Sequence, residues 1–102
     1  MARGYWIVHI DVTDPSGYDA YRQANGAAFA KYKARFLVRG GQYEGREGAE
    51  PRTRHVVIEF ADYATARACY DSPEYQDAAA KRAGAVEIDL MIVEGYDGPQ
   101  PA

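Results

Sequence analysis

An α+β sandwich, ordered strand–helix–strand–strand–helix–strand, is the architecture this sequence predicts. Three observations carry that expectation. Four segments, residues 5–12, 37–39, 56–60 and 87–90, alternate side-chain character with the two-residue period of a strand. Two stretches between them open on a capping residue followed by proline, Asp14-Pro15 and Ser72-Pro73, as helices do. Finally, 102 residues, of which 47% are apolar and 26% charged, suit one domain with a single core and exclude a disordered chain.

Taken in order, the first strand puts Trp6, Val8, Ile10 and Val12 on one face and Tyr5, Ile7, His9 and Asp11 on the other. Asp14 caps a helix expected over residues 15–35, and Pro15 takes its first position. Tyr18, Tyr21, Asn25, Ala28 and Tyr32 form one stripe of that helix, which should cover the greasy sheet face. Gly26 weakens the middle of the helix by about 1 kcal/mol relative to Ala, a loss that packing has to offset. The second strand is expected over residues 36–44, where Gly40-Gly41 suggests a bulge or a close approach.

Residues 45–51 then read as an exposed hairpin loop, and residues 54–60 as the third strand. Asp62 caps a helix through Tyr70, and Ser72 with Pro73 restarts helical structure that runs to about Gly84, a helix-terminating glycine. The last strand covers residues 86–94. The domain is drawn at residues 1–96, with residues 97–102 as a frayed tail. Two strand–helix–strand halves with short connections define a ferredoxin-like βαββαβ sandwich with an antiparallel sheet.

Both helices of such a sandwich cover one sheet face and leave the other bare. By strict alternation the bare face carries His9, Asp11, Arg39, Glu59, Glu87 and Asp89 beside Tyr5, Ile7, Leu37, Val57, Met91 and Val93. It is too apolar for water and too polar for a plain core, so pairing with a second copy of the chain is expected to cover it. That makes a homodimer the expected assembly.

A resemblance extends from about Gly4 to Gly95. Tyr5-Trp6-Ile7, Asp14-Pro15 with Tyr18 and Tyr21, Asn25, Leu37-Val38-Arg39-Gly40-Gly41, Glu59-Phe60, Ala66 with Tyr70, and Ser72-Pro73-Glu74-Tyr75 followed by Arg82 together resemble the domain of unknown function 1330 family. The resemblance implies a subunit of the dimeric α+β-barrel group, in which two sheets face each other. It implies no chemistry. Related barrels include cofactor-free monooxygenases, lactone isomerases and haem enzymes, so the fold alone does not select among them.

Among candidate site residues, Arg39 either forms a structural ion pair with Glu59 or grips a ligand carboxylate bidentately, with Gly40 and Gly41 leaving room beside it. His9 is either a proton shuttle or an interface histidine. Asp11, two residues on, lies ~6–7 Å along the strand, too far for a direct dyad. The expected catalytic set is His9, Arg39 and Glu59, and the expected substrate-binding set is Tyr5, Asp11, Asn25, Gly40, Gly41 and Tyr70. Asn25 needs its amide satisfied, by backbone or by a tyrosine hydroxyl. His9 and His55 with Asp11 or Glu59 lack metal-ligand spacing, so no metal is expected. No cofactor is expected either, and no hydroxyl or thiol sits in a nucleophile motif.

Partners are bounded by charge and cysteine content. The 12 basic and 15 acidic residues give a net charge of −3 without a basic stripe, which argues against nucleic acid. Cys69 is the single cysteine, so it forms no internal disulfide and reads as a small buried residue. No run reaches the length of a membrane span and no apolar leader is visible, so a cytoplasmic location is expected. The function expected is binding or conversion of a small organic acid or oxygenated aromatic. The alternative is a non-catalytic homodimer, either ligand-binding or purely structural, whose polar residues only set register.

Overall fold

The computed structural model describes residues 2–101. Its elements are β1 (Gly4–Val12), α1 (Pro15–Ala24), α2 (Gly26–Lys31), β2 (Arg35–Arg39), β3 (Arg54–Phe60), α3 (Tyr63–Asp71), α4 (Pro73–Ala80) and β4 (Val86–Glu94). The four strands form one sheet in the order β2-β3-β1-β4, and every neighbouring pair is antiparallel. This is the ferredoxin-like α+β arrangement that the sequence predicts.

The alternation of β1 does what its pattern requires. Trp6, Val8 and Ile10 are buried beneath the helices, together with Val56, Ile58 and Phe60 of β3. Trp6 is the hub: its ring packs edge-on against Phe29, Tyr70 and Tyr75, and its indole N–H donates to the Ala66 carbonyl at 2.9 Å. Buried aromatics need such a polar partner, and here α3 supplies it. Cys69 is fully buried, and burial pushes its thiol up to about 12, so it behaves as a small apolar residue.

The expected helix over residues 15–35 is two helices with one residue between them. Asn25 closes α1 and opens α2 in near-helical geometry, its N–H donating to the Tyr21 carbonyl at 2.9 Å while its own carbonyl accepts from Phe29. Gly26 follows directly, which is where helical stability is lowest. The helix also ends earlier than predicted. Lys33 adopts φ 55°, Ala34 N–H donates to the Phe29 carbonyl and Lys33 N–H to the Ala30 carbonyl, a Schellman ending with lysine at the usual glycine position. Arg35 therefore already belongs to β2.

The second half follows its caps closely. Asp62 accepts from the Thr65 N–H at 2.7 Å, and Ser72 Oγ accepts from the Tyr75 N–H at 3.1 Å while donating to the Cys69 carbonyl. Helix α4 stops at Ala80, and a turn through Gly84 (φ 75°) leads into β4. The expected second strand of residues 36–44 is corrected to Arg35–Arg39, because a bulge and then Gly40 at φ 73° end its pairing.

Candidate functional site

The bulge in β2 decides where the functional side chains lie. Phe36 stands opposite Ile58, but Val38 stands opposite Val57 and Arg39 opposite Val56, so Leu37 is the extra residue. One inserted residue reverses the parity of everything after it. Arg39 thus shares the helix-covered face with Val56 and Val8, not the bare face with His9 and Glu59. Neither the expected Arg39–Glu59 pair nor the His9–Arg39–Glu59 set is assembled. Glu59 instead accepts from the Tyr5 hydroxyl at 3.4 Å.

Where Arg39 does lie, a cleft opens between the sheet and the first two helices. Its inner cavity measures about 30 Å³ and is walled by Trp6, Tyr18, Tyr21, Phe29, Phe36 and the aliphatic residues of the strands. Polar groups reach it from Arg22, Asn25, Arg39 and Arg54, and none of its lining residues is acidic. Arg22 and Arg39 are exposed and also line an adjoining outer hollow, which places them at the mouth. Arg39 holds its guanidinium 4.2 Å from the Phe36 ring centre, and a flat cation on an aromatic face is held there by the ring quadrupole.

Arg54 is fixed more tightly. Its Nε donates to the Tyr18 hydroxyl at 2.9 Å, and a Cβ on Gly40 would collide with its guanidinium. The glycine therefore makes room for Arg54, across the ladder, instead of for Arg39 as the sequence suggests. Asn25 is buried, and its amide acts on the Tyr21 hydroxyl in the direction that lowers its pKa. Burial pushes the Tyr21 hydroxyl far above its ordinary range, with the neighbouring Tyr75 acting in the same direction. Tyr21 is accordingly a hydroxyl that stays protonated. Tyr75, fully buried, lies 2.8 Å from Tyr21 oxygen to oxygen and receives Arg82 Nη2 at 3.3 Å.

The opposite, bare face gathers a different set. His9 and His55 are register partners with their Nδ1 atoms 2.7 Å apart, and Tyr43 packs edge-on against His55. Arg52 ties Asp11, Glu87 and Asp89 together at 2.9, 3.3 and 2.8 Å. The Asp11 carboxyl is held below its ordinary range, first by the Thr53 backbone N–H and then by the Thr53 hydroxyl and Arg52. Hydrogen bonding to Asp89 and Asp11 likewise raises Arg52. Among the described residues no three His, Cys, Asp or Glu side chains converge as metal ligands do.

Of the expected substrate-binding residues, then, only Asn25 lines the cleft, with Gly40 beside it. Tyr5 and Asp11 lie on the bare face, Tyr70 packs against Trp6 and Tyr75 in the core, and Gly41 faces open space. Sequence reasoning missed Arg22, Arg54 and Arg52, and it gave Arg82, named within the resemblance, no role. Two of these carry a legible signal: Arg54 has the parity of Val56, Ile58 and Phe60, and Arg22 follows Tyr18 by four residues on the buried stripe.

Fold and cleft define a ferredoxin-like α+β subunit with a cationic, aromatic-walled pocket on the helix side of its sheet. The chain belongs to the family described as Domain of unknown function (DUF1330), which it matches over residues 3–96. Among solved structures it is similar to RPA0582, a protein of unknown function from Rhodopseudomonas palustris, at 16% identity and a TM-score of 0.76 over 95% of this chain and 85% of that one. A dimeric ferredoxin-like protein of unknown function from Bacteroides fragilis matches at 15% identity and a TM-score of 0.59, covering 90% and 95%. SnoaB, a cofactor-independent oxygenase from Streptomyces nogalater, matches at 13% identity and 0.58, covering 99% and 97%. Comparison with curated proteins gave no match.

Proposed function

We propose that this protein binds a small organic acid with an aromatic or otherwise apolar body in the cleft between the sheet and α1–α2, as one half of a homodimer. One observation carries the reading: Arg22, Arg39 and Arg54 converge on a cavity whose lining contains no carboxylate, in a chain of net charge −3. Arginines that no carboxylate of the cavity wall neutralises, with Asp19 beside Arg22 and Arg39 only in the outer hollow, match a planar carboxylate on an apolar body. The inner cavity has room for only a water or two, so a ring enters as Phe36 and Arg39 on the edge strand β2 move outwards.

Support for the dimer comes from the bare sheet face, where Leu37, Val38, Met91 and Val93 are 45%, 40%, 54% and 36% exposed, and from the dimeric proteins that share the fold. No helix among the described residues is long and apolar enough to cross a membrane. The cofactor-independent oxygenase among the structural neighbours makes conversion of the bound acid the second reading, with the protonated Tyr21 hydroxyl lining the cleft as the observation that favours it.

Trp6, the single tryptophan, lines the cavity and reports its occupancy by fluorescence. Benzoate titrated into the protein should give a saturable change in Trp6 emission. Arg39→Ala should weaken that binding about ten- to a hundredfold, the range for losing a hydrogen bond to a charged group. A flat titration with the unaltered protein would overturn the reading.

A further inference from the structure

The cleft has a polar end that the three arginines do not explain. We infer that the Tyr21 hydroxyl is a second anchor of this site, donating a hydrogen bond to a carbonyl-type oxygen on the bound acid, so that an oxo-substituted aromatic acid is preferred over a simple one. This inference rests on the reading of the cleft as an acid-binding site.

The direction of the hydrogen bonds carries it. Arginine donates and cannot accept, so the Tyr75 oxygen receives Arg82 Nη2 at 3.3 Å. Tyr75 is fully buried, and Tyr21 is the remaining partner of its hydroxyl, at 2.8 Å. The Tyr75 proton must therefore go to the Tyr21 oxygen, because a buried donor left unpaired costs about 1–3 kcal/mol. Tyr21, having accepted the Tyr75 proton, keeps its own proton to offer.

That proton belongs to a side chain lining the cavity, and its hydroxyl stays protonated because burial opposes its ionisation. The neighbouring Tyr18 is built alike: Arg54 Nε donates to its oxygen at 2.9 Å, which leaves the Tyr18 proton as the group it can offer. The cavity wall thus presents donors, and a ligand that fills it well supplies acceptors at both ends. Arg82 touches no ligand. It is a positioning residue that acts through Tyr75, and its buried Nε makes no hydrogen bond of its own.

The test compares benzoate with 2-, 3- and 4-formylbenzoate by titration calorimetry on the full chain. At least one formyl isomer should bind about two- to tenfold more tightly than benzoate, the worth of one neutral hydrogen bond. In Tyr21→Phe the ratio of the two affinities should collapse to about one. In the unaltered protein the formyl carbonyl stretch of that isomer should move to lower frequency on binding, a readout that needs no variant and survives any loss of folding in Tyr21→Phe. Benzoate and all three isomers binding equally, a preference retained in Tyr21→Phe, or an unshifted carbonyl would each overturn the second anchor while leaving the arginine site standing. No binding by any of the four would overturn both.

Discussion

His9 and His55 face each other across the β1–β3 ladder with Nδ1 2.7 Å from Nδ1, so one ring donates and the other accepts. The surroundings choose between them. His55 Nε2 is buried and makes no hydrogen bond, whereas His9 is exposed. A proton on His55 Nε2 would be a buried donor without an acceptor, the more costly of the two ways to leave that atom unpaired. His55 therefore carries its proton on Nδ1 and donates to His9, whose own proton sits on Nε2.

The expected outcome is a pair of opposite tautomers in the neutral protein. Nitrogen-detected NMR of the imidazoles should show His55 as the Nδ1–H form and His9 as the Nε2–H form. In His9→Ala the His55 Nδ1–H would lose its acceptor and its signal should broaden by exchange with water. Finding His55 protonated at Nε2 would reverse the assignment.

Gly40 is where backbone geometry and the cleft meet. Its φ of 73° suits glycine, and a Cβ there would run into the Arg54 guanidinium. Gly40→Ala should therefore destabilise the protein by about 1–2 kcal/mol through backbone strain. It should also weaken benzoate binding, because Arg54 must leave its place against Tyr18. Gly41→Ala is the control: its Cβ would meet nothing within 4 Å, and its φ lies outside the left-handed region. Denaturant melts and calorimetry on the two variants check this, and equal behaviour of the pair would refute it.

These two regions show how far the sequence could be read. Alternation in β1, β3 and β4 gave both sheet faces correctly, because those strands pair without interruption and side-chain parity is then fixed. The caps at Asp14, Asp62 and Ser72 were legible for a similar reason: each is a local interaction within three residues of chain. Arg39 was misplaced because a bulge at Leu37 is a property of how β2 meets β3 and leaves no mark in the five residues of β2 themselves. The break at Asn25 had its warning in Gly26, but the early stop at Lys33 did not, since lysine stands where a glycine usually signals the ending. The cleft was hidden by the same parity error. Once Arg39 is moved across the sheet, Arg54 on the core-facing parity of β3 and Arg22 at the edge of the α1 stripe become its companions.

Assembly is the prediction on which the bare sheet face depends. Leu37 and Val38 of β2 and Met91 and Val93 of β4 are exposed on the two edge strands of that face, with Ile7 and Val57 half-buried between them. A contiguous apolar surface of this kind on a small domain marks an interface. A two-fold pairing would bury each residue twice, so a single substitution acts twice. Native mass spectrometry should give about 22.6 kDa, twice the 11.3 kDa chain. Met91→Lys combined with Leu37→Lys should give the monomer, with far-UV circular dichroism showing the fold retained, since neither side chain belongs to the buried core. The cleft lies on the other side of the sheet, so a folded monomeric variant should still bind benzoate. An unaltered chain that runs as a monomer at micromolar concentration would mean that the His9–His55 face is simply wetted.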